Sequence, residues 1–327
     1  MRVMNASEVE AALETEALVE QLRQMFRAGA EVPTRHHHTV VVPGRPDATL
    51  LLMPAWQVGR YMGVKIVTVF PSNAEKSLPS VMGAYALLSA RTGEPLAMID
   101  GRMLTLRRTA CASALAAKYL ARADASRLLM VGTGALAPHL VLAHAQVRPI
   151  KEVLIWGRTP QKAERLARNL TSRRMRVSAT TDLEGAVRGA DIISCATLSK
   201  EPLIRGEWLG EGQHVDLVGG FTPEMREADD AAIDKARVFV DTYAGTLKEA
   251  GDIVQPIRNG VLTRESIAGE LAELTQGRVA GRRFHNQITL FKSVGTAIED
   301  LAAAILVFET MLGTNAEYGP HSEVLRG

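Results

Sequence analysis

The chain has 327 residues, 46% of them hydrophobic and 23% charged, a balance that fits a folded enzyme with room for two cores. A formal net charge of +2 excludes the strong basic field of a nucleic-acid binder. Two cysteines, Cys111 and Cys195, both in apolar surroundings, exclude a disulfide framework. No apolar run reaches bilayer length. The acidic start (Glu8, Glu10, Glu14, Glu16) lacks a secretion-signal core. A cytoplasmic protein without membrane or nucleic-acid partners is expected.

Ser7 and Glu10 have capping-box spacing, and Val9 and Leu13 follow one turn apart. Leu18, Val19, Leu22, Met25 and Phe26 continue an apolar helical face that Gly29 ends. The runs 39–42, 48–53, 61–69, 80–88 and 95–100 then predict successive strands of an antiparallel or mixed sheet. His36, His37 and His38 alternate faces on such a strand, so no metal site is expected. An Ala-rich helix is predicted over 105–120, and a second apolar helix over 293–312.

Between those helices the pattern changes to alternating strands and helices. Strands are predicted at 128–131, 153–156, 191–196, 214–219 and 238–241, which argues for a doubly wound parallel sheet. The first strand runs into Gly132-Thr133-Gly134-Ala135-Leu136-Ala137, a G-x-G-x-x-A turn. Such a turn cradles a dinucleotide pyrophosphate: Gly132 allows the bend, Gly134 the close backbone approach, and Ala137 tight helix packing. Gly132, Thr133, Gly134 and Ala135 are therefore candidate cofactor residues. The second strand ends Trp156-Gly157-Arg158-Thr159-Pro160-Gln161-Lys162, with no acid to bind the adenosine ribose. Arg158, Thr159 and Lys162 suit a 2′-phosphate instead, which favours NADPH, with NADH as the other nicotinamide donor.

Three basic residues stand out in the first third: Arg35, Lys65 within an apolar strand, and Arg108 within a helix. Brought together, they would form a carboxylate clamp. Five stretches make the chain resemble the ornithine cyclodeaminase/μ-crystallin family over nearly its whole length. They are Met53-Pro54-Ala55, Val64-Lys65-Ile66-Val67, Arg108-Thr109-Ala110-Cys111-Ala112-Ser113-Ala114, Gly132-Thr133-Gly134-Ala135 and Phe291-Lys292-Ser293-Val294-Gly295. The resemblance implies an α/β protein whose Rossmann-type domain, 121–292, is inserted in an α+β substrate-binding and dimerisation domain, 1–120 plus 293–327. It implies a homodimer, a substrate carboxylate held by Arg35, Lys65 and Arg108, and cofactor contacts from Thr109, Thr197 and Ser293.

One departure matters. Deaminating members of that family carry an Asp after the glycine pair that follows the fourth strand. Here the segment reads Gly219-Gly220-Phe221-Thr222-Pro223-Glu224, with Phe221 at that place. Glu224 and Glu227 are expected in the turn and helix that follow. A phenyl ring accepts no proton, but it can wall the carbons of a substrate ring. The segment resembles the branch that reduces Δ1-pyrroline-2-carboxylate and Δ1-piperideine-2-carboxylate to proline and pipecolate, with Lys65 as the candidate proton donor. The rival readings are an ornithine cyclodeaminase, an alanine dehydrogenase and a non-catalytic nucleotide-binding crystallin.

Overall fold

A computed structural model of the chain describes residues 1–76 and 78–312. Two compact units emerge: Met1–Arg108 together with the chain from Ala297, and Thr109–Thr296. The first division falls inside the helix Gly101–Leu120 rather than at its end.

The first unit is built on a six-stranded sheet. Its spatial order is Arg2–Met4, Pro95–Asp100, Val81–Ser89, Tyr61–Val69, Ala48–Trp56 and His36–Val40. All neighbours are antiparallel except the outer pair Arg2–Met4 and Pro95–Asp100. The strand Ala48–Trp56 runs through Pro54, three residues beyond its predicted end at Met53. Its neighbour His36–Val40 pairs only as far as Leu52, so on that side Pro54 has no ladder bond to donate.

Period-two alternation gives this sheet two different faces. One row, Met53, Lys65 and Tyr85, is buried. The helix Ala297–Leu312 packs on that side against the three central strands. This helix is buried nearly all round, including two acids of its first turn, Glu299 and Asp300. It starts four residues later than predicted, because Gly295 at φ +80° turns the preceding segment. The predicted first helix is two, Ala6–Ala12 and Thr15–Ala28, broken at Leu13 and Glu14. The capping box is Asn5 with Glu8, not Ser7 with Glu10: the Asn5 side chain accepts from the Ser7 and Glu8 amides, and Glu8 returns a bond to the Asn5 amide at 2.8 Å.

The second unit carries an eight-stranded, all-parallel sheet. Its order is Gly269–Glu270, Arg237–Val240, Thr289–Lys292, His214–Leu217, Ile192–Cys195, Arg127–Val131, Glu152–Trp156 and Arg176–Ala179. The five predicted strands are present. Thr289–Lys292, not anticipated, inserts between His214–Leu217 and Arg237–Val240. Beyond the exposed Arg127, the central strands Arg127–Val131 and Ile192–Cys195 are buried on both faces, the reason they read as apolar runs. Arg127–Val131 is first in sequence and sits between strands reached on either side, which makes its carboxyl end the topological switch point.

The end of the helix Gly101–Leu120 exposes carbonyls that need donors. Arg148 donates to the carbonyls of Ala117, Lys118 and Ala121 at 2.7, 2.9 and 3.0 Å, and the Arg282 Nε and Thr289 hydroxyl donate to Leu120 at 2.7 and 2.9 Å. Cations at that negative helix end also suit its dipole. Among the described residues no helix is long and apolar enough to cross a membrane.

Candidate active site

Within the first unit, the strand Tyr61–Val69 places Lys65 on the buried face and the helix Gly101–Leu120 brings up Arg108. Both are nearly inaccessible, at 3% and 5% exposure. Burying two cations is costly unless carboxylates meet them, and the first turn of the helix Ala297–Leu312 supplies two. Lys65 Nζ lies 2.7 Å from Asp300 Oδ2, Arg108 Nε 2.9 Å from Asp300 Oδ1, and Arg108 Nη1 2.5 Å from Glu299 Oε2. Asp300 thus bridges the two cations. Its carboxyl is raised by burial, but Arg108 and then Lys65 outweigh that and hold it below the usual range.

Burial, opposed by Asp300 and reinforced by Arg108 and Arg35, lowers the Lys65 ammonium to about 8. Arg35, half-buried in the segment before His36–Val40, is close enough to act on both Lys65 and Asp300. The structure therefore brings Arg35, Lys65 and Arg108 into one electrostatic cluster. Sequence reasoning missed Glu299 and Asp300; an acidic pair opening an otherwise apolar helix was the available signal. It also missed Tyr85. That phenol is buried across from Lys65, and its hydroxyl has no hydrogen-bond partner among the described residues. Its hydroxyl and ring edge occupy the place of a Cβ on Gly63, 2.4 and 2.5 Å away, so Gly63 admits Tyr85 to this face.

In the second unit, the turn after Arg127–Val131 has the shape of a phosphate cradle. Gly132 adopts φ +122°, and a Cβ there would stand 2.5 Å from the Ala196 carbonyl oxygen. Only glycine fits both constraints. Gly134 and Ala135 are exposed, and a Cβ on Gly134 would meet nothing within 4 Å. A ligand can therefore approach the backbone there. The helix Ala137–Val147 starts with no side-chain cap; Pro138 has no amide to give and the Ala137 amide donates to the Gly134 carbonyl, so what the helix offers an anion there is the positive end of its dipole. Gly157 packs on the Thr133 methyl, 2.8 Å from a would-be Cβ, which sets the following loop beside the cradle. Arg158, Thr159 and Lys162 are exposed on that loop and the first turn after it. These residues fit a dinucleotide: an open anion cradle, with basic side chains and no acid at the adenosine end.

Of the other expected cofactor contacts in the second unit, Thr197 lies beside the cradle, its methyl 3.5 Å from a would-be Cβ on Gly132. Thr109 and Thr197 are half-buried, and Ser293 is buried, with an Oγ that has no partner among the described residues. Phe221 is 47% exposed on the loop after His214–Leu217, so it is not a core aromatic. No helix follows it directly. The next one begins at Asp230, which leaves Glu227 in a buried irregular segment, contrary to its expected place in a helix.

Sequence reasoning gave Glu227 a place in a helix, quoted Lys292 only within a family-matching stretch, and missed Asp252. Glu227 accepts from the Thr197 amide and hydroxyl and from the Gly219 amide. Asp252 accepts from the Glu227 and Ala228 amides and pairs with Lys292 at 3.1 Å. Burial pushes the Glu227 carboxyl up to about 7, with Lys292 opposing and Asp252 adding to the rise. Among the described residues no His, Cys, Asp and Glu group forms a metal centre.

Comparison with known proteins adds the lineage. The model of the "Ornithine cyclodeaminase/mu-crystallin family" matches residues 1–315. Protein SAR DEFICIENT 4 of Arabidopsis thaliana is 46% identical over 86% of this chain and 87% of its own length. The Δ1-pyrroline-2-carboxylate reductase of Colwellia psychrerythraea is 38% identical over 95% of this chain and 99% of its own. Among solved structures, the Δ1-pyrroline-2-carboxylate reductase of Thermococcus litoralis, in complex with NADH and L-proline, superposes with a TM-score of 0.88 at 33% identity, covering 95% of this chain and 98% of that one. An archaeal alanine dehydrogenase dimer with bound NAD gives 0.87 at 30%, covering 97% of each. With a match spanning almost every residue, the chain belongs to the ornithine cyclodeaminase/μ-crystallin family.

Proposed function

We propose that this protein reduces a cyclic imino acid, Δ1-pyrroline-2-carboxylate or Δ1-piperideine-2-carboxylate, to proline or pipecolate with a reduced nicotinamide dinucleotide. The observation that carries the reading is the buried Lys65–Arg108 pair bridged by Asp300. It combines a carboxylate-binding charge with an ammonium poised to give up a proton near neutral pH. The kinship to reductases named for Δ1-pyrroline-2-carboxylate supports the ring substrate. Phe221, in place of an acid, argues against deamination.

The first unit holds the substrate. Arg108 and Arg35 orient its carboxylate, with the guanidinium fork suited to two parallel bonds. Lys65 keeps the ring nitrogen protonated, so the C=N carbon is electron-poor. The second unit holds the dinucleotide on Gly132, Thr133, Gly134 and Ala135, with Thr109, Thr197 and Ser293 as further contacts. The bound dinucleotide supplies a hydride. The imine carbon gains that hydride and the nitrogen keeps the proton, so the C=N π bond is consumed and a cyclic secondary amine results. Positioning of this kind is worth on the order of 7–11 kcal/mol in favourable cases. Arg158, Thr159 and Lys162 favour NADPH over NADH, because no carboxylate at the end of Glu152–Trp156 repels a 2′-phosphate.

The test is an absorbance assay of nicotinamide oxidation with each cyclic imino acid, and with pyruvate plus ammonia, in the presence of NADPH or NADH. Ornithine with NAD is run alongside. Turnover of a cyclic imino acid, fastest with NADPH, is expected. Faster turnover of pyruvate and ammonia, or release of ammonia from ornithine, would replace this reading.

A further inference from the structure

Glu227 ties together two loops that leave neighbouring parallel strands. Its Oε1 accepts the Thr197 amide at 2.7 Å and the Thr197 hydroxyl at 2.8 Å, just past Ile192–Cys195. Its Oε2 accepts the Gly219 amide at 2.7 Å, just past His214–Leu217. The loops approach so closely that a Cβ on Gly219 would stand 2.0 Å from the Thr197 carbonyl oxygen and 2.5 Å from Glu227 Oε1. Both loops lie at carboxyl ends of strands, on the side of the switch point away from Glu152–Trp156. A dinucleotide laid across a switch point puts one half on each side. With the adenosine end by Arg158, its nicotinamide end falls to the loops that Glu227 joins.

We propose that Glu227 is a positioning residue for the nicotinamide ring, setting the spacing of the Thr197 and Gly219 loops through one shared carboxylate. This rests on the dinucleotide reading above. The chemistry requires a carboxylate rather than an amide. Three donors converge on two oxygens, and a Gln would turn its NH2 toward one of the loops, donor against donor. The titratable groups facing Glu227 are Asp252 from the helix Gly251–Arg258, Lys292 from Thr289–Lys292 and Cys195 from Ile192–Cys195. Lys292 is engaged by Asp252, which fixes the backbone of Glu227 through the amides of Glu227 and Ala228 at 2.8 and 3.0 Å. The segment is thus held in place independently of the carboxylate.

Calorimetric titration of the full-length protein with NADH, NADPH and ADP-ribose, which lacks nicotinamide, tests this. In Glu227→Gln, NADH and NADPH should bind about tenfold more weakly, the effect of one hydrogen bond turned repulsive, and ADP-ribose within about twofold of wild type. Equal weakening of all three, or none, would overturn the proposal. A wild type that binds none of them would overturn it together with the dinucleotide reading. The wild type alone provides a second arm if the variant does not fold. NADH serves here, because the 2′-phosphate of NADPH titrates in the same range. Protonation of Glu227 turns an acceptor into a donor, so NADH affinity should fall below about pH 7 while ADP-ribose affinity holds. An NADH to ADP-ribose affinity ratio independent of pH would contradict it.

Discussion

At Lys65 two opposing forces meet. Desolvation favours the neutral amine, and the 2.7 Å contact with Asp300 favours the ammonium; their balance lies at about 8. Only the ammonium carries the proton and the charge that the proposed reaction uses. With the dinucleotide saturating, the rate should therefore hold between about pH 7 and 8 and fall above about pH 8. Asp300→Asn removes the group that pulls Lys65 upward, so the alkaline limb should move to lower pH. A pH–rate profile checks this, and a limb that stays in place would separate Lys65 from it. Lys65→Met should cost at least ~100-fold in kcat/KM, the usual range for a positioned acid. Full turnover in that variant would remove Lys65 from the mechanism. At the adenosine end, Arg158→Asp should raise the KM for NADPH more than that for NADH, since a carboxylate repels the 2′-phosphate. Equal effects would count against the phosphate assignment.

At the scale of elements, what the sequence makes legible is what periodicity and glycine chemistry encode. The strand Arg127–Val131 and its Gly132–Gly134 turn were readable because burial on both faces leaves an unbroken apolar run and the bend admits only glycine. Thr289–Lys292 was not legible as a strand, because its neighbours are settled by long-range pairing. Arg176–Ala179 and Gly269–Glu270 are too short to show a period. The site was readable in the residues that break a pattern, such as Lys65 within an apolar strand. It was not readable in their partners. Asp300 and Glu227 are ordinary acids until the fold removes their water; Glu227 carries no local signature, and Asp300 only the acidic pair that opens an apolar helix. Gly219 gives this scale its own test. Backbone atoms surround its missing Cβ, and a backbone yields less readily than a side chain. Gly219→Ala should cost roughly 1–3 kcal/mol, read from denaturant melts. An unchanged midpoint would mean that the two loops are not held together as described.

On the scale of the whole molecule, one face of the six-stranded sheet is partly exposed among the described residues. Leu52, Ile66 and Ala84 form one cross-strand row, and Pro54, Val64 and Ala86 the next. Ile66 is 36% and Met82 39% exposed. An apolar face of that kind is a liability in a lone monomer. It supports a homodimer, proposed here with the sheet as the interface. Sedimentation should give twice the 35.4 kDa chain mass, and Ile66→Glu combined with Met82→Glu should give the monomer. A wild-type monomer would refute this. The central claim is that hydride passes from the dinucleotide to the imine carbon of a cyclic acid. The most direct measurement uses a nicotinamide deuterated at its hydride-donating carbon, followed by mass and NMR analysis of the product. The account predicts proline or pipecolate carrying one deuterium at the α-carbon. An unlabelled product, or label found only in alanine from pyruvate and ammonia, would contradict it.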